Sequence, residues 1–548
     1  MSNIRMDTVW EFLNFDKNNT SFTIEGYYLL CGVGDEIAEP CLIVNGNLVL
    51  CEKVKRTDKV SVYCEEEVSQ RIGFKATIVA VDAKIIIQPA VKIVDVIEST
   101  KGQFGRFFPL SDTYKYGYAN LGHYTATIEN QSIVLAKRQG RIKDLVREKN
   151  FLCEVWRINR RKARKGVIFR LLYQLFKLFK HKKLWIISDR VNRADDNGEA
   201  FYVFLQTHKP PKTNVVFAIS NNCDDYARLL KIGNCVNTCS VKFKILILLC
   251  DMNISSHADR EKYYHHYEEL RDLYARVKFV FLQHGVTKDD ISAYLSRYKQ
   301  KISGFVTAAV PEYNSIKDDA YGYDQKEVWL TGFPRFDRLY NNPKKYITIM
   351  PTWRKYLMGD FNGETGNWEL KSDFEKQCFY LFYDALINSD RLISSIQECG
   401  YKLIFFPHPI MNPYLERFHH DPRVMFSFNT QTMYRDVYAI SSMVITDYSS
   451  ALFDFAYLRK PVFYCQFDKD KFFSGEHMFV KGYFDYERDG FGEVVYDLEH
   501  TIDLIIEYSR EGCVLKDKYR KRIDSFFAFN DRNNCQRVLD KIMQLQNG

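Results

Sequence analysis

The chain has 548 residues, a formal net charge of +8 at pH 7 and a hydrophobic content of 46%. This length predicts several folded units, and the hydrophobic content excludes an intrinsically disordered chain. The charge is mild for the length and predicts no nucleic-acid partner. No apolar segment is long enough to cross a bilayer, and the N-terminus carries no apolar signal segment. The 14 cysteines lack CxxC pairs, which favours reduced thiols in a cytoplasmic protein over zinc sites or a disulfide framework.

Residues 1–140 are predicted to form a small all-β domain. Short runs rich in Val, Ile, Tyr and Thr alternate with turns such as Asn45-Gly46-Asn47, a spacing typical of a β-sandwich. The predicted strands cover residues 21–30, 41–50, 60–64, 74–81, 84–87 and 124–128. No catalytic constellation occurs in this domain, so we expect a role in recognition or assembly.

Residues 141–183 form a basic linker. No acidic residue occurs between Glu154 and Asp189, whereas Lys and Arg are frequent there. The polar positions of the apolar segment 167–180 recur every three or four residues and share one helix face: Arg170, Gln174, Lys177 and Lys180. Such a helix fits a peripheral anchor, so residues 157–183 are predicted to bind an anionic membrane surface. The alternative is a helix packed between domains with a solvated basic stripe.

From Leu184 onward, predicted strands alternate with helices, which indicates an α/β fold. We predict two doubly wound, Rossmann-like halves that face each other across a cleft, residues 184–340 and 341–548. The predicted strands of the first half are residues 184–188, 214–220, 244–249, 277–282 and 305–308. Those of the second half are residues 346–350, 403–406, 424–427, 443–446, 462–465 and 494–496, with helices at 374–399 and 501–511. No GxGxxG or P-loop motif is present, so neither a dinucleotide fold nor a P-loop is supported.

Five apolar runs in these halves each end in polar or turn-forming residues. The ends are Gln283-His284-Gly285, residues 331–337, residues 351–354, Pro407-His408-Pro409 and Asp447-Tyr448-Ser449-Ser450. Ligands of open parallel sheets bind outside the carboxyl ends of the strands. The sequence therefore predicts one ligand crevice built from segments between residues 280 and 455.

Two histidines at these strand ends are candidate catalytic groups. His284 can accept a proton near neutral pH, and the adjacent Gly285 permits close approach of a substrate. His408 lies between two prolines that restrict the backbone and hold the side chain in one orientation. The alternative for each is a structural histidine that bonds to the backbone. His257, close to another apolar run, is a weaker candidate.

Charged and hydroxyl side chains at the other strand ends fit a phosphate ligand. Arg354 and Arg335 are predicted to neutralise phosphate, because the guanidinium fork matches its oxygens. The turn before Ser450 lies between a predicted strand and a predicted helix. Free backbone N–H groups and the positive end of the helix dipole meet at such a turn and favour phosphate. The alternative to a phosphate site is that Ser450 is an ordinary helix N-cap. Asp454, one helical turn later, is predicted to reach a ribose hydroxyl or merely to complement the dipole.

Together these segments resemble the CDP-glycerol glycerophosphotransferase family, whose members build teichoic acids and related capsule polymers. The resemblance rests on seven segments. They are Gln283-His284-Gly285, Gly332–Asp337, Pro351-Thr352-Trp353-Arg354, Pro407-His408-Pro409, Thr446-Asp447-Tyr448-Ser449-Ser450, Phe453-Asp454 and Lys460-Pro461-Val462. It covers about residues 184–530, and the order and spacing of the motifs make it specific. Asp196-Asn197 also resembles a segment early in the family's first half.

The resemblance implies a GT-B-like fold on the cytoplasmic face of the membrane and transfer of a polyol phosphate from a CDP-activated donor, with release of CMP. It implies that His284 is the general base and that His408 and Arg354 stabilise charge on the donor phosphates. It further implies pyrophosphate binding by the turn Thr446-Asp447-Tyr448-Ser449-Ser450, and nucleoside contact by Asp454. Many members read His-Gly-Thr-Pro where this chain has His284-Gly285-Val286-Thr287, which leaves the acceptor and the polyol open.

The sequence leaves three functions open. The first is glycerol phosphate transfer to a lipid-linked or polymeric acceptor. The second is transfer from CDP-ribitol or another nucleotide sugar, and the third is a non-catalytic scaffold that binds the polymer. No residue cluster with metal-ligand spacing is visible, so no metal site is predicted, and a Mg²⁺ ion that bridges the pyrophosphate is left open.

Overall fold

The structure is a computed structural model that describes residues 5–31, 38–56, 70–94, 96–158, 161–258, 267–318, 320–362, 367–426, 433–473 and 480–547. Along the chain these residues form a β domain, a helical pair and two α/β halves. The predicted strand at residues 60–64 lies outside the described residues.

The N-terminal β domain consists of two sheets that share one hydrophobic core, as expected for a sandwich. The strand orders are β5-β6-β2-β1-β9 and β10-β11-β12-β7-β3-β4, with β8 beside β7, and the pairs are antiparallel except β1 with β9. The predicted run 41–50 divides into two strands, because Asn45 and Gly46 adopt positive φ in a tight hairpin turn. The strands are β1 (Arg5–Phe15), β2 (Ser21–Cys31), β3 (Ala38–Val44), β4 (Asn47–Leu50), β5 (Glu52–Val54), β6 (Gln70–Val79), β7 (Lys84–Ile93), β8 (Val96–Ser99), β9 (Lys101–Phe104), β10 (Tyr118–Leu121), β11 (Tyr124–Glu129) and β12 (Ser132–Lys137).

Two helices, α1 (Arg141–Arg157) and α2 (Arg161–Lys177), connect the β domain to the first α/β half. The predicted basic stripe on α2 is wrong at Arg170, which is buried and pairs with Glu148 and Asp272. Glu148 of α1 and Asp272, 102 residues away in sequence, supply the negative charge that residues 155–188 lack. With Arg170 turned inward, the outer side of α2 exposes apolar residues beside its other bases, and Ile168, Leu171 and Leu175 are about half exposed.

The first α/β half is a parallel sheet in the order β15-β14-β13-β16-β17-β18-β19. Its strands are β13 (Lys183–Ser188), β14 (Thr213–Ile219), β15 (Cys235–Asn237), β16 (Met252–Ser255), β17 (Lys278–Phe281), β18 (Gly304–Thr307) and β19 (Val328–Leu330). Its helices are α3 (Asn197–His208), α4 (Asp224–Leu230), α5 (Val241–Leu249), α6 (Arg271–Ala275), α7 (Ser292–Leu295) and α8 (Val310–Ile316), with 3₁₀ turns at Glu268–Leu270 and Pro334–Arg338. The strand predicted at 244–249 is wrong: this run belongs to α5, whose N-cap Ser240 accepts a hydrogen bond from the backbone N–H of Phe243.

The second half has a parallel sheet in the order β24-β23-β20-β25-β26-β27. The strands are β20 (Tyr346–Ile349), β21 (Met358–Asn362), β22 (Asn367–Leu370), β23 (Lys402–Phe405), β24 (Val424–Phe426), β25 (Ser441–Thr446), β26 (Val462–Cys465) and β27 (Gly492–Val495), of which β21 and β22 form a separate hairpin. The helices are α9 (Cys378–Ile387), α10 (Asp390–Glu398), α11 (Tyr434–Ile440), α12 (Leu452–Tyr457), α13 (Lys469–Phe473), α14 (Leu498–Arg510), α15 (Asp517–Phe526) and α16 (Asn534–Asn547). Further 3₁₀ turns are Lys355–Leu357, Phe374–Lys376 and Pro409–Arg417. The helix predicted at 374–399 is two helices, and Ser389 is the N-cap of the second.

The two halves share a continuous hydrophobic core that includes residues of both sheets. The last helix, α16, returns to the first half, where the backbone N–H groups of Asn534 and Cys535 donate to Asp337. The predicted α/β architecture of two facing, doubly wound halves behind a β domain is confirmed. No helix within the described ranges is both long and apolar enough to cross a bilayer.

Candidate active site

The strand ends of both halves border one cavity of about 550 Å³. Residues from all five predicted strand ends line it. Seven of the ten candidate site residues are on its wall: His284, Gly285, Arg335, His408, Ser449, Ser450 and Asp454. The crevice therefore lies between the two halves, where ligands of open α/β sheets bind.

His284 forms a hydrogen-bonded pair with Asp196 on the first half. Nδ1 of His284 lies 2.5 Å from Oδ2 of Asp196, while the imidazole is half exposed to the cavity. Asp196 is buried, which opposes its ionisation, but His284 and Arg335 outweigh burial and hold the pKa of Asp196 below its usual range. Nδ1 of His284 therefore donates to the ionised Asp196, and Nε2, which lies 3.1 Å from Nη2 of Arg190, presents its lone pair on the cavity side. This is the tautomer that a general base requires.

Strained backbone at two positions holds this pair in place. Gln283 and Asp195, which immediately precede His284 and Asp196, have φ angles of 62° and 73° in the left-handed region. The side chain of Gln283 compensates by donating to the carbonyl of Val306 and to Glu312. The costly conformation of Gln283 is therefore tied down by buried hydrogen bonds, and that of Asp195 by a 2.8 Å bond from its backbone N–H to Glu199.

Asn197 connects the parts of the first half that form the site. It is fully buried, and its amide group donates to the carbonyl oxygen of Gln283 at 2.9 Å. Its side-chain oxygen accepts a hydrogen bond from the backbone N–H of Arg335, also at 2.9 Å. One side chain thus sets the spacing between the loop that carries His284 and the turn that carries Arg335.

Arg335 joins the two halves instead of presenting a free guanidinium to phosphate. It makes a two-bond contact with Asp454 of the second half, at 2.6 and 2.7 Å, and a 2.7 Å contact with Asp196 of the first. Both carboxylate oxygens of Asp454 are used in this contact. The expected phosphate contact of Arg335 and ribose contact of Asp454 would therefore compete with an ion pair already formed between the halves.

His408 is a neutral imidazole on the opposite wall of the cavity. Burial, together with the positive charge of Arg190 and the neighbouring His284, lowers the pKa of His408 to about 4. Its Nδ1 accepts a hydrogen bond from the backbone N–H of Ile410 at 3.2 Å, so the ring proton is on Nε2. A neutral ring in this tautomer can donate a hydrogen bond to a phosphate oxygen.

Arg354 lies behind the cavity wall, which corrects its expected role in phosphate binding. The side chain is fully buried, donates to Asp468 at 2.8 and 3.1 Å, and lies 2.9 Å from Asp447. Burial opposes its charge, but Asp447 and Asp468 raise the pKa of Arg354 well above its ordinary value. A guanidinium between two buried carboxylates has no face left for a ligand.

Thr446 and Asp447 are also internal supports of the turn and are absent from the cavity wall. The Thr446 hydroxyl donates to the carbonyl of Met350, and Asp447 accepts from the backbone N–H groups of Thr352 and Tyr448. These bonds hold the turn so that Ser449 and Ser450 face the cavity.

The two halves approach each other closely at Gly285. A Cβ atom at this position would lie 3.3 Å from Oγ of Ser450, tighter than most contacts of real Cβ atoms. Glycine therefore permits the Ser450 turn to stand directly opposite the His284 loop.

Sequence reasoning missed three residues of the site: Asp196 as the partner of His284, Asn197 as a positioning residue, and Arg190 beside the base. Nη2 of Arg190 lies 3.1 Å from Nε2 of His284. A signal for Arg190 was present, because strand β13 also ends in polar residues at Asp189-Arg190. Ligands bind at the carboxyl ends of parallel strands, and the same expectation applied to β13 points to Arg190.

Asp196, His257 and His284 also bring three possible metal ligands within 4.8 Å of one another, a cluster that spacing in the sequence did not reveal. The guanidinium of Arg335 lies on the same carboxylate, and its positive charge opposes a cation there. The contacts fit a hydrogen-bonded acid–base pair better than a metal centre.

Comparison with known proteins finds relatives that are named for teichoic acid synthesis. The chain is 35% identical over 388 residues to the minor teichoic acid biosynthesis protein GgaB of Bacillus subtilis, covering 70% of this chain and 42% of that protein. It is 21% identical over 390 residues to a teichoic acid poly(ribitol-phosphate) polymerase of Bacillus spizizenii, covering 69% of this chain and 59% of that protein. The chain thus spans about half the length of these relatives.

The solved structure of the wall teichoic acid polymerase TagF has the same fold. The superposition has a TM-score of 0.52 at 15% identity and covers 74% of this chain and 99% of that chain. Residues 168–544 match the sequence model of the CDP-Glycerol:Poly(glycerophosphate) glycerophosphotransferase family. This match covers more than half of the chain and includes both α/β halves. The chain therefore belongs to the CDP-glycerol:poly(glycerophosphate) glycerophosphotransferase family.

Proposed function

We propose that the chain transfers glycerol phosphate from CDP-glycerol to a hydroxyl group of a lipid-linked or polymeric acceptor and releases CMP. The product would be a teichoic acid or a capsule polymer. The observation that carries this proposal is the His284–Asp196 pair, which faces the same interdomain cavity as His408 and the Ser449-Ser450 turn. Family membership and the teichoic acid names of the relatives support the same reaction.

In this reaction the acceptor hydroxyl binds at Nε2 of His284, which removes its proton as the oxygen attacks phosphorus. Asp196 keeps the other ring proton on Nδ1 and stabilises the imidazolium that forms. On the opposite wall, the Nε2–H of His408 and the hydroxyls of Ser449 and Ser450 donate to donor phosphate oxygens. Those donors stabilise negative charge that develops on the leaving CMP.

CMP release tests the proposal. Purified protein is offered CDP-glycerol with a membrane or polymer acceptor, and we expect acceptor-dependent CMP. His284→Ala should fold normally and lose activity by about 10²–10⁴-fold, as removal of a general base does. His500→Ala, an exposed histidine on α14, is the matched control and should retain activity. A folded His284→Ala enzyme with near-normal turnover would reject the base assignment.

The same assay separates the other candidate functions. The relatives include poly(ribitol-phosphate) polymerases, so CDP-ribitol is offered in parallel with CDP-glycerol. CMP from CDP-ribitol alone would replace glycerol by ribitol in the proposal. Failure to bind either CDP-polyol in a calorimeter would favour the non-catalytic polymer-binding scaffold.

The enzyme would work on the cytoplasmic face of the membrane, held there by α1 and α2. Both helices expose apolar side chains to solvent, and those on α2 and directly after it are Ile168, Leu171, Leu175, Phe176, Leu178 and Phe179. Exposed bases such as Lys162 and Lys165 accompany them. An apolar face beside basic residues supports binding to an anionic lipid surface. The structure revises the basis of this idea, since the apolar residues rather than the paired Arg170 face outward.

Vesicle flotation tests this part. We expect the protein to float with vesicles that contain anionic phosphatidylglycerol, and Leu171→Glu/Leu175→Glu to remain in solution. Leu171 and Leu175 are 51% and 50% exposed, and Leu230 of α4 is 50% exposed, so Leu230→Glu is the matched control. Equal binding by both variants would exclude α2 as the anchor.

A further inference from the structure

Among the described residues, six Lys and Arg side chains line the cavity wall, and four of them are already paired with carboxylates. Arg335 contacts Asp196 and Asp454, and Arg338 contacts Glu199. The other two pairs are Arg435 with Asp195 and Lys288 with Asp289. A fifth cation, Arg193, lies over the ring of Tyr434. These contacts use the positive charge of the wall for internal structure.

Arg190 differs from the four paired cations. Its side chain is exposed to the cavity and, within the described part of the chain, forms no ion pair with a carboxylate. Its hydrogen bond runs from Nη2 to Nε2 of His284, at 3.1 Å. A free guanidinium is therefore held against the lone pair of the general base.

The backbone around Arg190 is fixed. Arg190 and Arg193 form an antiparallel bridge directly after β13, and the carbonyl of Val191 accepts from the N–H of Ser220 at 2.7 Å. The preceding Asp189 is buried and accepts hydrogen bonds from the backbone N–H groups of Gly198 and Glu199 at the start of α3. These bonds fix the point from which the Arg190 side chain extends toward the cavity.

The reaction geometry puts a phosphoryl group within reach of this side chain. A hydroxyl bound to a general base lies about 3 Å from it, and a nucleophile in attacking position lies about 3–3.5 Å from the atom it attacks. The phosphorus would then lie within about 6 Å of Nε2 of His284. Nη2 of Arg190 lies 3.1 Å from the same nitrogen, so its guanidinium stands beside the position that the phosphoryl oxygens would take.

We infer that Arg190 is a catalytic residue that binds the phosphoryl group during its transfer. The inference rests on the proposed function. The acceptor oxygen forms a bond to the β-phosphorus of the CDP-polyol, and the bond from that phosphorus to the bridging oxygen breaks. CMP leaves with the bonding electron pair, and the acceptor proton passes to Nε2 of His284. Arg190 contacts the non-bridging oxygens of the transferred group, where charge is spread in such transition states.

The hydrogen bond to His284 then has a second consequence. In the structure the guanidinium covers the lone pair that must accept the acceptor proton. Donor binding draws Arg190 to the phosphate and uncovers His284. Arg190 would therefore couple arrival of the donor to availability of the base.

Two variants test the role of Arg190, and Arg391→Gln on the exposed surface of α10 is the matched control. For Arg190→Gln we expect kcat to fall about 10²–10³-fold. Arg190→Lys keeps the positive charge but not the planar guanidinium, so its kcat should fall less than that of Arg190→Gln. Calorimetry should show about tenfold weaker binding of CDP-glycerol to Arg190→Gln. Binding of CMP, which lacks the transferred group, should be unchanged.

Three results with an active wild-type enzyme would overturn the inference. One is a kcat within threefold of the wild type, and another is an equal loss of CMP and CDP-glycerol affinity. The third is a change confined to the KM of the acceptor, which would assign Arg190 to a phosphate of the acceptor chain. If the wild type releases no CMP, the proposed function fails, and the binding comparison alone decides whether Arg190 recognises the transferred group. Wild-type protein that binds neither compound would reject the inference as well.

Discussion

The pairing of Asp196 with His284 makes a sharp prediction about Asp196→Asn. Oδ1 of Asp196 accepts two hydrogen bonds, from Nη1 of Arg335 and from the backbone N–H of Asn197, both at 2.7 Å. Oδ2 accepts one bond, from Nδ1 of His284. An asparagine has one oxygen and one NH₂ group, and its oxygen will occupy the side with two donors.

The NH₂ group of the introduced asparagine then faces Nδ1 of His284 and donates to it. This bond stabilises the tautomer with its proton on Nε2, which leaves no lone pair toward the acceptor hydroxyl. A general base contributes about 10²–10⁴ in rate, so we expect kcat to fall by that factor, or about 3–5 kcal/mol in activation free energy. The substitution is nearly isosteric, so the protein should remain folded.

The assay is acceptor-dependent CMP release with CDP-glycerol, with Asp517→Asn on the exposed face of α15 as the control. Because Asp196 acts through His284, Asp196→Asn/His284→Ala should be no slower than His284→Ala. A kcat within tenfold of the wild type, or losses that multiply in the double variant, would refute the assignment of the pair.

Three further predictions concern the cleft and its support. Arg354→Leu should lower the free energy of unfolding by about 3–5 kcal/mol, measured in urea, because two buried carboxylates lose their cation; a loss below 1 kcal/mol would contradict this role. Gly285→Ala should lower kcat/KM about tenfold without loss of stability, because the new Cβ pushes against Ser450, and unchanged kinetics would show that the cleft adjusts freely. The folded-state pKa of His408, about 4, lies below its unfolded value of about 6.5, so the folded protein binds fewer protons between these values. The stability that neutral His408 contributes is thus present above pH 6.5 and is lost toward pH 4, by up to about 3 kcal/mol. The free energy of unfolding of His408→Gln should therefore depend less on pH than that of the wild type, as measured in urea between pH 4 and 7.

The pattern of apolar runs in the sequence was sufficient for the α/β architecture and for the cavity. Strands β17, β20, β23 and β25 lie where alternation of apolar runs and turns predicts them. Parallel strands bring their carboxyl ends to one edge, so residues from distant segments had to meet there. The same local patterns erred at 244–249, where an apolar run fits a buried helix as well as a buried strand and the cap at Ser240 decides the outcome.

Contacts between distant charged residues could not be read from the chain. Arg170, Arg335 and Arg354 each stand near a motif or in a basic stretch, and each proves to be paired with carboxylates far away in sequence. Conversely, Arg190, which no motif marked, presents a guanidinium to the cavity and has no carboxylate partner among the described residues. Sequence alone determined which segments meet at the cleft. Hydrophobic periodicity is local and marks the strands, and the ends of parallel strands must share one edge of the sheet. Only the tertiary structure decided which charges remain available to a ligand, because burial and pairing depend on neighbours that the fold brings together.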